Sequence, residues 1–351
     1  MGQVRYPRAW LVLGGRPVLC LQASAHVNRL SSSDTFNATL PMSALARAGL
    51  SVGYFVDTAP IEATLDMGLT ADGSDRKTIV DGKLTSIEFD WAGGTLQISG
   101  RDNGAEALEK KSNEKFLNQK AEDIVRTIAG RHGLTVVTSG SSSTGKAGKL
   151  YGSDFAKLTD QMSETTLLQH LADREGKSWY VKAKKLYWID GEDKSEGTLR
   201  VTYRPPSATD YASGNFLRLR HVRNVKLSGK ATVNVRSWNH KTKQAITSKK
   251  ELEGKGEGVT YEYRLPNLTQ DQADKIAEKR LSENTRHEIS IEVEMPGDPT
   301  VDARMSLELN GTGTALDQTY AIDSIDHEMS ADGGYRMSIR GKSAAKGRSS
   351  S

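Results

Sequence analysis

Gly93 and Gly94 separate two β-prone runs in the stretch FDWAGGTLQI. Glycine reaches the positive φ values that a tight turn between right-twisted strands requires, so the pair predicts a hairpin. In the second run Leu96 and Ile98 stand two apart and share one face, which is the period of a strand. The runs AWLVLGG, RPVLCLQASAHV, SDTFNATLPM and IEATLDMG come before it, parted by Gly, Asp, Asn and Pro. Residues 1–102 are therefore expected to be β-structure packed as a barrel or sandwich.

From about Gly104 the period changes. Leu117, Ala121, Ile124, Val125, Ile128 and Ala129 fall at helical spacing, Gly130 and Gly133 offer stops, and the strand LTVV follows. The same layout returns at Leu167, Leu168, Leu171 and Ala172, closed by Gly176 and followed by KSWYVKAKKLYWI. Aligning Gly133 with Gly176 also aligns Ile124 with Leu167, Ile128 with Leu171 and Ala129 with Ala172. This is either an αβ duplication or two convergent helix–glycine–strand units.

After Pro205 and Pro206 the β-rich character resumes in LRLRHVRNVKLS and ATVNVRSW, passes a charged glycine-rich loop, KKELEGKGEG, and returns in VTYEYRL. Thr269 opens a helix with a capping box closed by Gln272, and Ala273, Ile276, Ala277 and Leu281 form its apolar stripe. HEISIEVEM, DARMSLEL, TYAIDSIDHEM and GYRMSIRG read as closing strands, with a turn at SADGGY that needs the freedom of Gly333 or Gly334. The expected fold is α+β and mainly β: a β-domain at 1–102, an αβ middle domain at 103–200, a second β-domain at 201–342 with a helix near 269–286, and a disordered low-complexity tail at 343–351.

The totals narrow the function classes. A chain of 351 residues exceeds one ordinary core, and apolar residues at 36% with aromatics at 6% suit thin domains, large surfaces or subunit contacts. Its 48 basic and 44 acidic residues nearly cancel, so a tightly bound nucleic acid is not indicated. The single Cys20 has no internal disulfide partner and reads as a small buried hydrophobe. No apolar run has the roughly 18–20 residues of a membrane helix, and Gly14, Gly15 and Pro17 break the short apolar piece at the N-terminus, so synthesis and assembly in the cytoplasm are expected, without stable membrane insertion.

Several motifs invite a chemical reading and fail on context. GSSSTGKA at 140–147 satisfies the glycine and lysine spacing of a phosphate-binding loop, yet Ala147 stands where a Ser or Thr would ligate magnesium and no helical stripe follows; a mobile Ser/Gly/Lys link is expected. Gly254, Gly256 and Gly258 lack dinucleotide spacing and lie between β-runs. In Asp326-His327-Glu328 strand alternation puts the two carboxylates on one side and the imidazole on the other, so a polar strand end is expected rather than a metal cluster. His170 and Asp173, with Glu175 nearby, read as a solvated helix face, and Arg218, Arg220, Arg223 and Lys226 as a solvated strand face. The seven histidines, at 26, 132, 170, 221, 240, 287 and 327, are scattered, and no catalytic, cofactor-binding or metal site is assigned.

The order of the segments resembles the baseplate hub proteins of contractile phage tails, meaning the Mu-type hub and the phage late control protein D family, related to the N-terminal part of type VI secretion spike proteins. The matching pieces are LQISGRDNGAEAL, the middle helix running into GLTV, SETTLLQHLADREGKSWYVKAKKLYWI and TYAIDSIDHEMSADGGYRMSIRG. The resemblance implies a non-enzymatic homotrimer in which each subunit gives two tube-like β-barrel domains to a ring of pseudo-sixfold symmetry. Such a ring would adapt a hexameric tail tube to a threefold central spike, with the tail tube protein or tube initiator, the spike and the baseplate wedge proteins as partners. DNA would pass through the lumen in transit, and the protein would sit in the virion tail baseplate after assembly in the host bacterial cytoplasm. No spike β-helix, lysozyme-like domain or OB-fold follows the last β-pair, so separate chains are expected to supply them. The competing classes are a tail-associated peptidoglycan hydrolase, with Asp326 and Glu328 as candidate carboxylates, and the spike component of a contractile injection or type VI secretion-like system.

Overall fold

The computed structural model describes residues 5–30, 33–104, 116, 119–139, 146–147, 163–182, 184–190, 195–225, 229–239, 243–254, 258–285 and 288–343. The chain divides into two compact units, one of residues 1–106, 195–220 and 291–341, the other of residues 107–194, 221–290 and 342–351.

The first unit begins with β1 (Arg8–Leu13), β2 (Arg16–Leu19), β3 (Gln22–Asn28), β4 (Thr35–Pro41), β5 (Glu62–Gly68), β6 (Lys77–Asp90) and β7 (Thr95–Asp102). Pairing is antiparallel throughout, β3 to β4 to β7 to β6 to β5 to β1 to β2. Only Cys20 and Leu21 part β2 from β3, and their amides bond to Ala9 and Thr39. The two strands thus act as one bent strand that meets β1 at one end and β4 at the other, and the strands close into a barrel. Its interior holds Leu11, Leu13, Phe36, Leu40, Leu65, Met67, Leu96 and Ile98, the alternate positions of each strand. Helices α1 (Met42–Arg47) and α2 (Val52–Asp57) add Leu45 and Phe55 to this core. Six residues each are too few to display a helical period, so the all-β reading of 1–102 missed them. β6 also starts at Lys77, well before the expected Ser86, and a bulge between Leu84 and Ser86 bends it.

The middle of the chain forms β8 (Gln119–Lys120), α3 (Ala121–Arg131), β9 (Thr135–Thr138), β10 (Lys146–Ala147), α4 (Glu164–Glu175), β11 (Lys177–Lys182) and β12 (Lys185–Asp190). The expected stops Gly133 and Gly176 both take left-handed backbone, at φ 66° and 68°. The Ser163 side chain caps α4 by accepting from the Thr166 amide at 3.2 Å. Ile124, Ile128 and Ala129 share one core with their aligned counterparts Leu167, Leu171 and Ala172, and with Trp179, Leu186 and Trp188.

The remainder supplies β13 (Thr198–Arg204), β14 (Ser213–Gly214), β15 (Arg218–Arg223), β16 (Ala231–Asn239), β17 (Gln244–Leu252), β18 (Val259–Arg264), α5 (Gln270–Thr285), β19 (Ile289–Pro296), β20 (Ser306–Asn310), β21 (Thr319–Ser330) and β22 (Gly334–Ser343). The expected loop KKELEGKGEG is half strand, since Lys249–Leu252 pair with β16. The expected strand DARMSLEL begins only at Ser306, because the Met305 amide closes a turn onto Asp302. Residues 221–290, with the helix expected near 269–286, lie in the second unit. There α5 sets Ala273, Ile276 and Ala277 against Val233 and Val235 of β16. Of the low-complexity tail, 344–351 lie outside the described residues.

The first unit contains one 14-stranded sheet with two halves of like order. One runs β3-β4-β7-β6-β5-β1-β2, and the other runs β15-β19-β22-β21-β20-β13-β14. Strands that correspond in space also correspond in chain order. Two local devices repeat with them. In the loop after β5, Asp75 accepts from the amide and hydroxyl of Thr70 and from the Leu69 amide; in the loop after β20, Asp317 accepts from the amide and hydroxyl of Thr312 and from the Gly313 amide. At the β6–β7 hairpin Asp90 accepts from the Gly93 amide at 2.8 Å, and at the β21–β22 hairpin Ser330 accepts from the Gly333 amide at 2.9 Å. One strand departs from the correspondence: β13 runs parallel to β20, where β1 is antiparallel to β5.

The hairpins turn on Gly94 (φ 63°) and Gly334 (φ 71°), while Gly333 is not in the left-handed region. Replacing either Gly94 or Gly334 by Val is expected to destabilise the first unit by about 1–3 kcal/mol, read as a lower denaturant midpoint. An unchanged midpoint for both variants would refute this account of the turns.

Candidate functional surface

The two halves of the sheet meet where β21 pairs antiparallel with β3, from Ser324 opposite Asn28 to Ser330 opposite Gln22. Alternation along these strands sends one set of side chains into the cores and the other onto a common outer face. Register then sorts that face into rows. Ser330, Gln22, Thr39, Gln97 and Glu88 make the first, and Glu328, Ser24, Asn37, Ser99 and Ser86 the second. Amides and hydroxyls dominate both, and Ser99 donates to Asn37 at 2.7 Å. A cleft of about 500 Å³ opens on this face, lined in part by Glu328 and Arg336.

The third row is ionic. His26 Nδ1 lies 2.5 Å from Asp326 Oδ1, Asp326 Oδ2 lies 3.5 Å from Arg340, Arg340 lies 4.0 Å from Glu292, and Glu292 lies 3.9 Å from Arg220. Basic and acidic side chains thus alternate across β3, β21, β22, β19 and β15. Partly exposed pairs of this kind contribute about 0–1 kcal/mol each, so the row fixes register more than it adds stability.

On the opposite face His327 is 1% exposed, and its Nδ1 lies 2.8 Å from the Tyr335 hydroxyl. Asp326 and Glu328 do share the outer side, as alternation requires, but His327 is an interior residue of a twelve-residue strand and not part of a polar strand end. Burial holds its pKa down at about 4, against the smaller opposing pull of Asp326, Asp302 and Asp298. Burial likewise pushes the Tyr335 phenol up. A Cβ on Gly297 would stand 2.1 Å from the Tyr335 ring, so only glycine lets that backbone approach.

The other singled-out residues separate. Gly140–Gly145 lie outside the described residues, and Lys146–Ala147 pair with β8 where a phosphate loop would begin its helix. Between Gly254 and Gly258, residues 255–257 lie outside the described residues, as do Lys226, His240 and His287. Asp173 is not on a solvated face: it accepts from Gln169 at 3.0 Å and pairs with Lys279 at 3.3 Å and Arg280 at 3.2 Å on α5. Arg218 and Arg220 share the exposed face of β15, while Arg223 pairs with Glu288 at 3.6 Å. His132 and Arg131 both bond to buried Glu164. Cys20 is buried in the barrel, and burial pushes its thiol up to about 12. Among the described residues no three His, Cys, Asp or Glu side chains gather to hold a metal ion, and no helix is long and apolar enough to cross a membrane. Alternation in QASAHV, TFNATL and TLQISG carries the polar rows, but the register that aligns them does not lie within any one strand.

The fold is one shared with solved tail proteins. The tail protein from Neisseria meningitidis MC58 superposes with a TM-score of 0.69 at 13% identity, over 96% of this chain and 96% of that one. The 43 kDa tail protein of prophage MuSo2 from Shewanella oneidensis gives 0.62 at 14% identity, over 95% and 97%. An E. coli type VI secretion component, described as similar to the T4 bacteriophage tail proteins gp27 and gp5, gives 0.56 at 11% identity, over 96% of this chain and 77% of that one. Comparison by sequence with curated proteins finds no match. The family model of the phage tail baseplate hub (GPD) matches residues 91–333, well over half of the sequence, and the chain belongs to that family. It is a virion structural protein of the phage tail.

Buried neutral His327 makes stability depend on pH. Its folded pKa lies below the unfolded value of about 6.5, so the unfolded chain binds more protons between the two values and stability falls as pH drops from about 6.5 toward 4. The loss is expected to approach about 3 kcal/mol. Denaturant unfolding at pH 7 and pH 4.5 should give a steeper loss for the native chain than for His327→Gln, and equal slopes would overturn the assignment.

Proposed function

We propose that three copies of the chain form the structural hub of a contractile-tail baseplate, a ring of pseudo-sixfold symmetry that joins the hexameric tail tube to the threefold central spike. The observation that carries this reading is the repeated strand order within one chain, because two like β-modules per subunit give a threefold assembly six like units to present to a hexameric neighbour. The tail tube protein or tube initiator would contact one side of the ring, the spike protein the other, and wedge proteins its periphery. The amide and hydroxyl rows support a wet channel for DNA, since they offer hydrogen bonds without the dense positive charge that would retain phosphates. The role is scaffolding without catalysis. A hydrolase built on Asp326 and Glu328 has less support, because Asp326 is already engaged by His26 and Arg340.

Light scattering of the purified chain tests the assembly. A mass near three times 38.3 kDa, with six similar lobes in negative-stain averages of the same peak, is the expected result. A compact monomer at high concentration that gives no ring with tail components would overturn it.

A further inference from the structure

We infer that neighbouring copies in this ring join edge to edge, β15 of one chain adding to the Leu84–Asp90 segment of β6 in the next. The inference rests on the trimeric reading above and specifies its subunit contact.

The seam inside the chain is the template. On β21, the hairpin partner β22 takes one edge, β20 pairs with Thr319–Ala321 on the other, and β3 continues along that second edge from Ser324 to Ser330. β6 is the counterpart of β21. Its hairpin partner β7 takes one edge, and β5 pairs with Lys77–Lys83 on the other. The Leu84 amide still bonds to Ile61, but beyond it no strand among the described residues continues along that edge. Asp90 corresponds to Ser330, since each accepts from the glycine amide three residues on. Leu84–Asp90 therefore corresponds to Ser324–Ser330, the segment that β3 covers. The counterpart of β3 is β15, which ends the sheet and pairs only with β19 among the described residues. The same pairing that joins the two modules within a chain thus lacks its second instance, and a second copy supplies both missing halves.

Side chains agree with this register. On the outer face the β6 edge offers Ser86, Glu88 and Asp90, all exposed, and β15 offers exposed Arg218 and Arg220. The Leu217 amide bonds to Glu294 as the Leu21 amide bonds to Thr39, and Arg220 ends the row of Asp326, Arg340 and Glu292 as Ser24 ends the row of Ser86, Ser99 and Asn37, so Arg218 matches Gln22 and Arg220 matches Ser24, whose partners across the internal seam are Ser330 and Glu328. The counterpart of Glu328 is Glu88. Arg220 of one copy then faces Glu88 of the next and Arg218 faces Asp90, acid–base contacts like that of Asp326 and His26 at the internal seam. On the inner face Leu217 is 58% exposed and Trp91, stacked on Phe89 at 5.8 Å, is 70% exposed. Pairing would cover apolar surface left at both edges, and it would close edges that otherwise invite indiscriminate association. A heterologous contact of this kind closes once three copies are joined.

Charge swapping tests the seam in the full-length chain. Glu88→Arg alone and Arg220→Glu alone put like charges together and should raise the concentration at which the trimer dissociates at least tenfold, whereas the double variant should restore it. Circular dichroism and thermal melting check that each variant remains folded. Independently, Glu88→Cys with Arg220→Cys should give, on oxidation, a covalent trimer on a non-reducing gel. Trimers that persist in both single variants and fail to cross-link would overturn the seam while leaving the trimer standing. A monomeric native chain would remove the trimer and the seam together.

Discussion

Everything in the first unit depends on the antiparallel pairing of β21 with β3. It joins residues 300 apart, His26 to Asp326, and makes one sheet from strands contributed by both ends of the chain. Closing so long a loop costs only about 0.6 kcal/mol more for each doubling of its length, so the separation is affordable thermodynamically. Its consequence is kinetic, since non-local pairing has to follow the local hairpins. The hairpins β6–β7 and β21–β22 carry their own turn signals, and the Thr70–Asp75 and Thr312–Asp317 loops hold the strands before them. Each meander can form locally before the seam joins them.

The same logic explains how the second unit shares the chain. Residues 107–194 fall between β7 and β13, and 224–288 fall between β15 and β19, the counterparts of the neighbouring strands β3 and β4. A connection between adjacent antiparallel strands leaves and returns at nearly one point, so an insertion there disturbs little of the sheet. In the first barrel that connection is the short stretch between Asn28 and Thr35; in the second it is replaced by one of the long segments of the second unit.

What could be read from the sequence follows from which interactions are local. Gly94, Gly334, Gly133, Gly176 and the Thr269–Gln272 capping box act on their own neighbours, and each stands where expected. Alternation also identified most strands and the opposite facing of His327 and its flanking carboxylates. The failures are of another kind. α1 and α2 are too short to express a period, β6 hides its first half behind Lys77, Asp81 and Lys83, and Lys249–Leu252 look like a loop until β16 pairs with them. Asp173 looked solvated because α5, which supplies Lys279 and Arg280, lies about a hundred residues away. The polar rows of the candidate surface depend on register among β21, β3, β4 and β7, and no single strand contains that information. The Thr–Asp loops were present in TADGSD and TGTALD, five residues apart in both, but such a spacing acquires meaning only once the two loops occupy matching places in the sheet.

Repetition within a chain creates a problem of identity, because like modules offer like edges. β3 has to find β21 rather than the open edge of β6, although both present a bent antiparallel strand followed by a glycine hairpin. Charge separates the two choices. β3 carries Gln22, Ser24 and His26 outward and meets Asp326 through the imidazole, while β15 carries Arg218 and Arg220. The imidazole presents one ring nitrogen to Asp326, whereas each guanidinium presents a planar fork of donors. The inner faces differ as well: Ala23 and Ala25 of β3 pack beside Met329 in a finished core, whereas Leu217 projects where no covering strand has been supplied. Mispairing β15 with β21 would also require displacing a seam whose partners are held in the same polypeptide at high effective concentration. Covalent linkage thus favours the internal pairing, and the more strongly basic edge remains for a surface that offers Glu88 and Asp90. A sequence with nearly balanced totals, 48 basic against 44 acidic residues, can in this way carry directional charge at its edges without a strong net field across its face.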